Sequence, residues 1–255
     1  MSQETAPGHY ARKQILSPSR LIAWAHRRRF DTALRLSKPF ADKKVLDFGC
    51  GDGTFLAMLM RQSWAPASAV GAEISEDLVD DCTQRLSNVP ALTFVSTQEL
   101  DDPEHAQMYE GVFCMEVLEH VIDVDSVLDQ IGRLVASGGR ILISVPVEIG
   151  LPLLVKQTAR RVAGWMGVGD YPGTTPYTSR ELCAGLLAGP SQHVARPVHV
   201  GQNGEKFHDH KGFNWKLLRE KLGARFDIEL TTASPLSWLP PQMGSQCWFL
   251  LRLRR

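Results

Sequence analysis

The sequence of 255 residues contains no long hydrophobic run. None of its apolar stretches reaches the length of about 18 residues that a membrane span needs. Its first segment, MSQETAPGHYARK, also lacks the apolar region of a secretory signal peptide. These two absences predict a cytoplasmic protein without a transmembrane helix. Internal repeats and low-complexity tracts are missing too, which argues against a repeat architecture.

Net charge of one sign is absent as well. Lysine and arginine together number 28, and aspartate and glutamate together also number 28, so the formal net charge is +0. Such a chain has no long-range field that would draw it to nucleic acid or to an anionic membrane. The composition therefore predicts no nucleic-acid partner.

Paired cysteines are the third absence. The five cysteines are scattered, odd in number and without a CxxC motif. They are typical of reduced, mostly buried thiols and predict neither disulfides nor a zinc site. They are Cys50, Cys82, Cys114, Cys183 and Cys247. The length suits one large α/β domain with an appendage.

A glycine-rich turn, VLDFGCGDGTF at residues 45–55, is the most informative stretch that is present. An apolar strand pattern precedes it and an apolar-faced helix pattern follows it. Gly49, Gly51 and Gly53 alternate between them, and glycine allows positive φ and close approach of a ligand to the backbone. Several nucleotide-binding folds use such a turn, so the turn alone is weak evidence of function.

Acidic residues around the turn narrow the choice of ligand. Asp47 precedes it, Asp52 lies within it, and Glu73 ends the next predicted strand. The carboxylates would repel a pyrophosphate, whereas they would attract a ligand with a cationic amino group and a ribose diol. The GxGxG spacing also differs from the dinucleotide fingerprint, so the pattern argues against a dehydrogenase.

This combination resembles motif I of the class I S-adenosylmethionine (SAM) methyltransferases. The resemblance implies that Asp47 and the glycines hold the methionine end of SAM, and that Glu73 binds the ribose hydroxyls. These methyltransferases usually carry an acid near the adenine after the third strand, where this chain has Thr97–Gln98. Backbone amides or the Gln98 side chain are the alternatives there. The cofactor-binding residues predicted on this basis are Asp47, Gly49, Cys50, Gly51, Glu73, Ile74, Gln98, Met115 and Glu116.

Strand and helix patterns alternate from residue 45 to residue 145, which predicts a parallel sheet covered by helices. We predict an α/β fold with a seven-stranded Rossmann-like sheet, helices on both faces, an N-terminal covering helix and a lid inserted after strand five. The predicted segments are an arm and covering helix (1–40), the SAM-binding core (41–146), the lid (147–207), and a closing helix with a β-hairpin (208–255). A helix that only packs on the core is the alternative for the first segment.

The lid segment begins with an amphipathic pattern, IGLPLLVKQTARRVAGWMGVG. Its apolar face includes Leu154 and Val155, and Lys156, Arg160 and Arg161 lie on another face. We interpret the segment as a substrate-side lid. Weak peripheral contact with a membrane surface, giving access to a lipidic substrate, is the alternative.

A second group of candidate residues lies in CMEVLEHV, residues 114–121. If the chain is helical there, Glu116, Glu119 and His120 are related as i, i+3 and i+4 and share one face. Two carboxylates and an imidazole suit a divalent cation such as Mg²⁺ or another metal ion. Support of the cofactor loop is the alternative role for Glu119 and His120.

CMEVLEHV resembles the ubiquinone-biosynthesis O-methyltransferases almost letter for letter. Together with FHDHKGFNW, residues 207–215, it also shows a more distant likeness to small-RNA 3′-terminal 2′-O-methyltransferases. These resemblances imply Glu116, Glu119, His120 and His210 as metal ligands. Gly212 and Asn214 depart from the second family's pattern. His208 or His210 acting as a catalytic base, and a purely structural role, are the alternatives.

A hydroxyl acceptor needs a base or a metal to remove its proton, whereas an amine needs neither. The acids and histidines therefore favour SAM-dependent O-methylation of a small hydroxylated acceptor such as a sugar, quinol or secondary metabolite. RNA-terminal ribose methylation is an alternative, and the zero net charge argues against it. A non-catalytic SAM-binding or interaction protein is another, but the turn and Glu73 are intact.

Overall fold

A computed structural model describes residues 8, 20–165, 175–201 and 204–254. Its helices are α1 (Arg20–Leu36), α2 (Thr54–Leu59), α3 (Glu76–Arg85), α4 (Val124–Leu134), α5 (Leu151–Trp165), α6 (Ser179–Leu186) and α7 (Trp215–Arg225). Its strands are β1 (Lys44–Phe48), β2 (Ser68–Glu73), β3 (Leu92–Ser96), β4 (Tyr109–Met115), β5 (Val135–Pro146), β6 (Val198–Val200), β7 (Lys206–His208), β8 (Phe226–Ser234) and β9 (Gln246–Leu253).

The central sheet has seven strands in the order β3-β2-β1-β4-β5-β9-β8. β1 pairs in parallel with both β2 and β4, so the chain leaves β1 in one direction and later returns to its other side. A reversal of this kind is the position at which open parallel sheets bind ligands, beyond the carboxyl ends of the strands. The seven-stranded α/β fold predicted from the sequence is confirmed.

β1 is buried along nearly its whole length, as expected of a central parallel strand. Phe113 of β4 packs against Phe40 and Phe55, with ring centroids 4.8 and 5.1 Å apart. A Cβ atom on Gly111 would lie 2.2 Å from Cδ1 of Phe40, so glycine is required there by this aromatic packing. β1 therefore occupies a rigid core, and the loop that follows it starts from a fixed position.

Short polar side chains begin the helices of the C-terminal half. Thr178 and Glu181 form a capping box at the start of α6. Asn214 caps α7, because its side-chain oxygen accepts hydrogen bonds from the amides of Lys216 and Leu217. The amide group of Asn214 also donates to the carbonyls of Gly189 and Gln192, which ties the lid segment to this helix.

The lid segment contains more regular structure than its sequence pattern predicted. The amphipathic helix is present as α5, but α6 and the two-stranded sheet of β6 and β7 were missed. β6 and β7 have three residues each, which is too short for an alternating pattern to be recognised. The side chains of Arg160 and Arg161 lie outside the described residues.

The chain divides into two units by its contacts. The first comprises the described parts of Met1–Met115 with Asp129–Ile143 and Leu250–Arg255. The second comprises Glu116–Leu128 and the described parts of Ser144–Phe249. The segment boundaries predicted at residues 40, 146 and 207 follow the chain rather than these units, and they remain predictions. Across the described ranges, no helix combines the length and the hydropathy that crossing a membrane requires.

Candidate active site

The glycine loop, residues 49–53, connects β1 to α2 and has a left-handed backbone at all three glycines. The φ angles of Gly49, Gly51 and Gly53 are 76°, 55° and 66°. The amides of Gly49 and Cys50 both donate to the carbonyl of Ala72, at 2.8 and 3.0 Å. A Cβ atom on Gly51 would meet nothing within 4 Å, so this part of the loop faces open space. The loop is thus held by β2 and leaves one side of its backbone accessible to a ligand.

Glu73 at the end of β2 is hydrogen-bonded to the glycine loop. Its Oε2 accepts from the Gly51 amide at 2.9 Å, and its Oε1 accepts from the Ile74 amide at 2.8 Å. The carboxylate is half-buried and carries further lone pairs. It can hold the loop and still accept hydrogen bonds from a diol.

Asp47 is the buried acid of this site. Its side chain is 2% exposed, and its Oδ1 has no hydrogen-bond partner among the described residues. Burial, together with the nearby charge of Glu73, raises the pKa of Asp47 to about 8. A buried acceptor without a donor is costly, and a cationic ligand would satisfy it.

The remaining predicted cofactor residues of the first unit lie around the same strand ends. Ile74 follows Glu73 directly and is 62% exposed, which is unusual for isoleucine. Gln98 is exposed and begins a short 3₁₀ turn. Met115 ends β4 and is partly exposed. Cys50 is buried, and burial raises the pKa of its thiol.

Gly71 of β2 is a loop-supporting residue that the sequence analysis missed. A Cβ atom at this position would lie 2.6 Å from the Phe94 ring and 2.9 Å from Sγ of Cys50. Glycine therefore lets β2 pack closely beneath the glycine loop. A glycine inside an otherwise apolar strand pattern was the available signal.

The structure does not contain the helix that was considered over CMEVLEHV, and that expectation is corrected here. Residues 116–123 are not helical in the structure, and α4 begins only at Val124. Glu116 has a left-handed backbone with φ of 59°, and a tight turn follows in which the His120 amide donates to the Val117 carbonyl at 2.8 Å. A strand that ends in a left-handed residue cannot continue into a helix at once, so the i, i+3, i+4 argument does not apply.

The structure nevertheless brings three of the four predicted metal ligands together. One ligand atom from each of Glu119, His120 and His210 lies within 4.8 Å of the others. We call these three residues the histidine cluster. Glu119 is fully buried, its Oε1 lies 3.8 Å from Nε2 of His120, and the two imidazole rings are 4.8 Å apart. Two imidazoles and a carboxylate form a donor set that suits a divalent cation.

Glu116 is not part of the histidine cluster. Its Oε1 accepts from Ser144 Oγ at 3.2 Å and its Oε2 accepts from Gln246 Nε2 at 3.1 Å. Gln246 in turn accepts from Ser234, whose hydroxyl accepts from the Trp248 indole. This chain of hydrogen bonds fixes the Glu116 carboxylate within the second unit and was not predicted, because its members are far apart in sequence.

Hydrogen bonds determine which nitrogen of each histidine is available. Nδ1 of His120 lies 2.8 Å from the carbonyl of His208, and Nδ1 of His208 lies 2.8 Å from the carbonyl of Pro197. A carbonyl only accepts, so Nδ1 carries the proton in both neutral rings. The proton-free Nε2 of His120 therefore points towards Glu119, an arrangement that a cation between them would stabilise.

His210, one of the two predicted bases, lies in a buried environment. Burial, and secondly the neighbouring His120, hold the pKa of His210 below its usual range. Its Nδ1 is buried with no hydrogen-bond partner among the described residues. The ring is therefore neutral near pH 7 and can accept a proton.

Glu148 and Lys156 also act electrostatically on His210, although neither was predicted as a site residue from the sequence. Glu148 is 2% exposed, and its Oε1 accepts from Lys156 Nζ at 2.8 Å. The carboxylate of Glu148 favours the charged form of His210, and Lys156 opposes it. An acid inside the apolar segment PVEIG was the signal that could have identified Glu148.

Comparisons with known proteins match this chain to methyltransferases. A family model described as a methyltransferase domain matches residues 21–184. The ubiquinone biosynthesis O-methyltransferase of Vibrio vulnificus (strain YJ016) is 37% identical over 120 residues, which are 46% of this chain and 49% of that protein. The enzyme of the same name from Yersinia enterocolitica is 36% identical over 118 residues, 46% and 48% of the two chains. The chain thus matches about half the length of these curated relatives.

Solved structures support the same fold. The PH0226 protein from Pyrococcus horikoshii OT3 superimposes with a TM-score of 0.60 at 12% identity, covering 98% of this chain and 100% of the other. The N-methyltransferase NodS from Bradyrhizobium japonicum WM9, in complex with S-adenosyl-L-homocysteine, has a TM-score of 0.55 at 14% identity, covering 94% and 91%. The family model spans more than half of the sequence, and so the chain belongs to the methyltransferase domain family.

Proposed function

We propose that this protein transfers a methyl group from SAM to a hydroxyl oxygen of a small acceptor. The observation that carries the proposal is the buried Asp47 carboxylate, with its unpartnered Oδ1, next to a glycine loop that Glu73 holds. The curated relatives named above are O-methyltransferases of ubiquinone biosynthesis, which supports oxygen as the atom methylated and a quinol-like acceptor.

The residues of the first unit fit SAM as a ligand. Asp47 offers a buried carboxyl group whose ionised form a bound cation would stabilise, and Glu73 offers carboxylate oxygens to a ribose diol. The exposed Ile74 side chain beside Glu73 offers an apolar surface for adenine. SAM supplies the methyl group on a positively charged sulfur, and the task of these residues is to bind and orient it.

The residues of the second unit suit the removal of a proton. The neutral His210 ring accepts the proton of the acceptor hydroxyl at whichever ring nitrogen is free of hydrogen. His208 is held by Pro197 and by the turn, and we assign it to positioning. For a hydroxyl, whose own pKa is far above 7, this proton acceptor makes attack on the methyl group feasible at neutral pH.

A divalent cation would be held by Glu119, His120 and His210, and Glu116 would not be a ligand. Two imidazoles and one carboxylate suit Fe²⁺ or Zn²⁺ better than Mg²⁺. When bound, a cation of this kind lowers the pKa of a hydroxyl that contacts it. His210 would then serve as a ligand rather than as the base, so a metal-assisted route and a histidine-base route are mutually exclusive uses of the same ring.

Matched oxygen and nitrogen acceptors test the proposal. Transfer of the labelled methyl group of SAM to catechol is expected to exceed transfer to 1,2-diaminobenzene by at least about 100-fold, since removal of the hydroxyl proton by the histidine cluster makes the oxygen a stronger nucleophile, whereas the amine gains nothing from it. The two acceptors have the same size and shape, so the ratio of their labelling rates reports whether oxygen or nitrogen is the preferred methyl acceptor. Equal or faster labelling of the diamine would contradict O-methylation while leaving SAM binding intact.

We also propose weak peripheral membrane contact through α5. Leu151 and Val155 are 64% and 68% exposed, and Leu154 is also exposed, so one face of the helix presents apolar side chains to solvent. Val155→Glu is expected to reduce co-sedimentation with phosphatidylglycerol-containing vesicles about tenfold, whereas Ser191→Glu, which adds the same charge at an exposed position outside α5, serves as the control. Equal sedimentation of wild type and Val155→Glu would contradict this contact.

A further inference from the structure

We propose that Arg196 is a positioning residue that holds the turn carrying Glu119 and His120 against the loop carrying His210. The inference rests on the proposed function, because it assigns Arg196 a role through the histidine cluster. Arg196 belongs to the lid segment, and neither its sequence position nor any motif pointed to it.

One end of the Arg196 side chain fixes the turn. Its Nη2 donates a hydrogen bond to the backbone carbonyl of Glu119. In this turn the His120 amide is already bonded to Val117, and Nδ1–H of His120 donates to the His208 carbonyl. Arg196 therefore fixes the peptide group between the two cluster residues Glu119 and His120.

The flat face of the same guanidinium contacts the other segment. Its central carbon lies 5.3 Å from the centroid of the Phe213 ring, a distance typical of a cation–π contact. The Phe213 amide donates to the His210 carbonyl at 3.3 Å. A single side chain thus links the turn of Glu119 and His120 to the loop of His210, which are about 90 residues apart in sequence.

Burial and charge explain why residue 196 is an arginine. Burial lowers the pKa of Arg196, and the carboxylates of Glu119 and Asp209 oppose that shift. Its Nε is buried with no hydrogen-bond partner among the described residues, so the position has a cost in free energy. Arginine alone combines a donor fork with a planar face that stacks on an aromatic ring, and lysine cannot do both.

Arg196 also lines a cavity of about 80 Å³ together with Lys221. Lys221 provides a matched control, since it is a cation in the same wall but pairs with Asp125 at the start of α4. Its removal leaves the contacts of the Glu119 carbonyl unchanged. The effect of losing a cation from the wall can therefore be separated from the effect of losing the link.

The test compares Arg196→Met, Arg196→Lys and Lys221→Met by two readouts. The first is ¹⁵N NMR of the histidine rings in the protein without ligands. It is expected to show only the Nδ1–H form for His120 in wild type and Lys221→Met, and a mixture of both tautomers in Arg196→Met. The second is methyl transfer, for which Arg196→Met is expected to lower kcat about tenfold with KM and SAM affinity within about twofold. Arg196→Lys is expected to lower kcat about threefold.

An unchanged His120 tautomer in Arg196→Met would overturn the proposal. A decrease in kcat in Lys221→Met equal to that in Arg196→Met would also overturn it. If Arg196→Met does not fold, Phe213→Leu carries the test, because it removes the surface beneath the guanidinium and is expected to produce the same tautomer mixture. The ring signals do not depend on turnover. A wild type that is inactive towards every hydroxyl acceptor would therefore contradict the proposed function and still leave the role of Arg196 open to measurement.

Discussion

Asp47→Asn is expected to weaken SAM binding at least about 100-fold in calorimetry at pH 7.5. The substitution keeps the size of the side chain and removes its charge. A buried cation that loses its charged partner typically costs about 3–5 kcal/mol, which corresponds to a factor of 100 or more in affinity. Asp80→Asn, on the exposed surface of α3, makes the same substitution in the first unit without removing the buried carboxyl and serves as the control.

The same substitution is expected to stabilise the ligand-free protein, and increasingly so as the pH rises. The pKa of Asp47 is raised from 3.8 to about 8 by burial and by Glu73. A raised pKa means that the folded state favours the protonated carboxyl. Its contribution to stability is therefore complete below pH 3.8 and is lost at about 1.4 kcal/mol per pH unit as the pH rises towards 8. The gain of Asp47→Asn in thermal denaturation is expected to be small near pH 4, to increase through pH 5 and to be largest at pH 8.

Binding of the cofactor should then release a proton at neutral pH. Near pH 7 the ligand-free Asp47 is mostly protonated, and a bound cation favours its ionised form. Calorimetry in two buffers of different ionisation enthalpy is expected to show nearly one proton released per SAM in wild type, and none from this group in Asp47→Asn. Unchanged SAM affinity in Asp47→Asn would remove the assignment of the glycine loop as the cofactor site.

His210→Gln is expected to lower kcat about 100- to 1000-fold while the dissociation constant of SAM stays within about twofold. Glutamine can still hydrogen-bond but cannot take a proton near neutrality, and loss of a general base costs factors of this size. Because burial and His120 lower the pKa of His210, its neutral form persists below pH 6.5. The acid limb of the wild-type rate profile should therefore lie below that value.

His193→Gln provides the control for this substitution, since His193 is an exposed histidine of the same unit. The kcat of His193→Gln is expected to match wild type.

Treatment of wild type with a chelator distinguishes the two uses of the His210 ring, as a metal ligand or as a free base. Full activity without divalent cations would exclude the metal-assisted route, whereas loss of activity that Fe²⁺ or Zn²⁺ restores would exclude His210 as the free base. Normal turnover in His210→Gln would exclude both.

The glycine loop and its acidic neighbours, which we propose to bind the cofactor, could be recognised in the sequence because they are local. The three glycines, Asp47 and Glu73 lie within two consecutive strand–turn units, and strand periodicity brings them to one edge of the sheet. The alternation of strands and helices from residue 45 to residue 145 was also predicted correctly, since apolar patterns report burial directly. Gly71 was the exception. Its role depends on Phe94 of a different strand, which no local pattern reveals.

The sequence correctly predicted that Glu119, His120 and His210 lie close together, but the shared helix face that was given as the reason is absent. Glu119 and His120 do lie together with His210, yet the segment is a turn and not a helix. The left-handed backbone of Glu116 changes the direction of the chain, and its carboxylate bonds to Gln246 instead. Propensity favoured a helix at CMEVLEHV, and tertiary hydrogen bonds from β5 and β9 overrode it.

By itself, the sequence determined the α/β fold and the methyltransferase family, because backbone freedom and hydrophobic periodicity are properties of neighbouring residues. Only the tertiary structure decided that Glu116 lies outside the histidine cluster, that Glu148 and Lys156 influence the pKa of His210, and that Arg196 joins two segments. These contacts join residues from different parts of the fold. Their formation depends on packing and on the hydrogen bonding of buried groups, which operate only once the chain has folded.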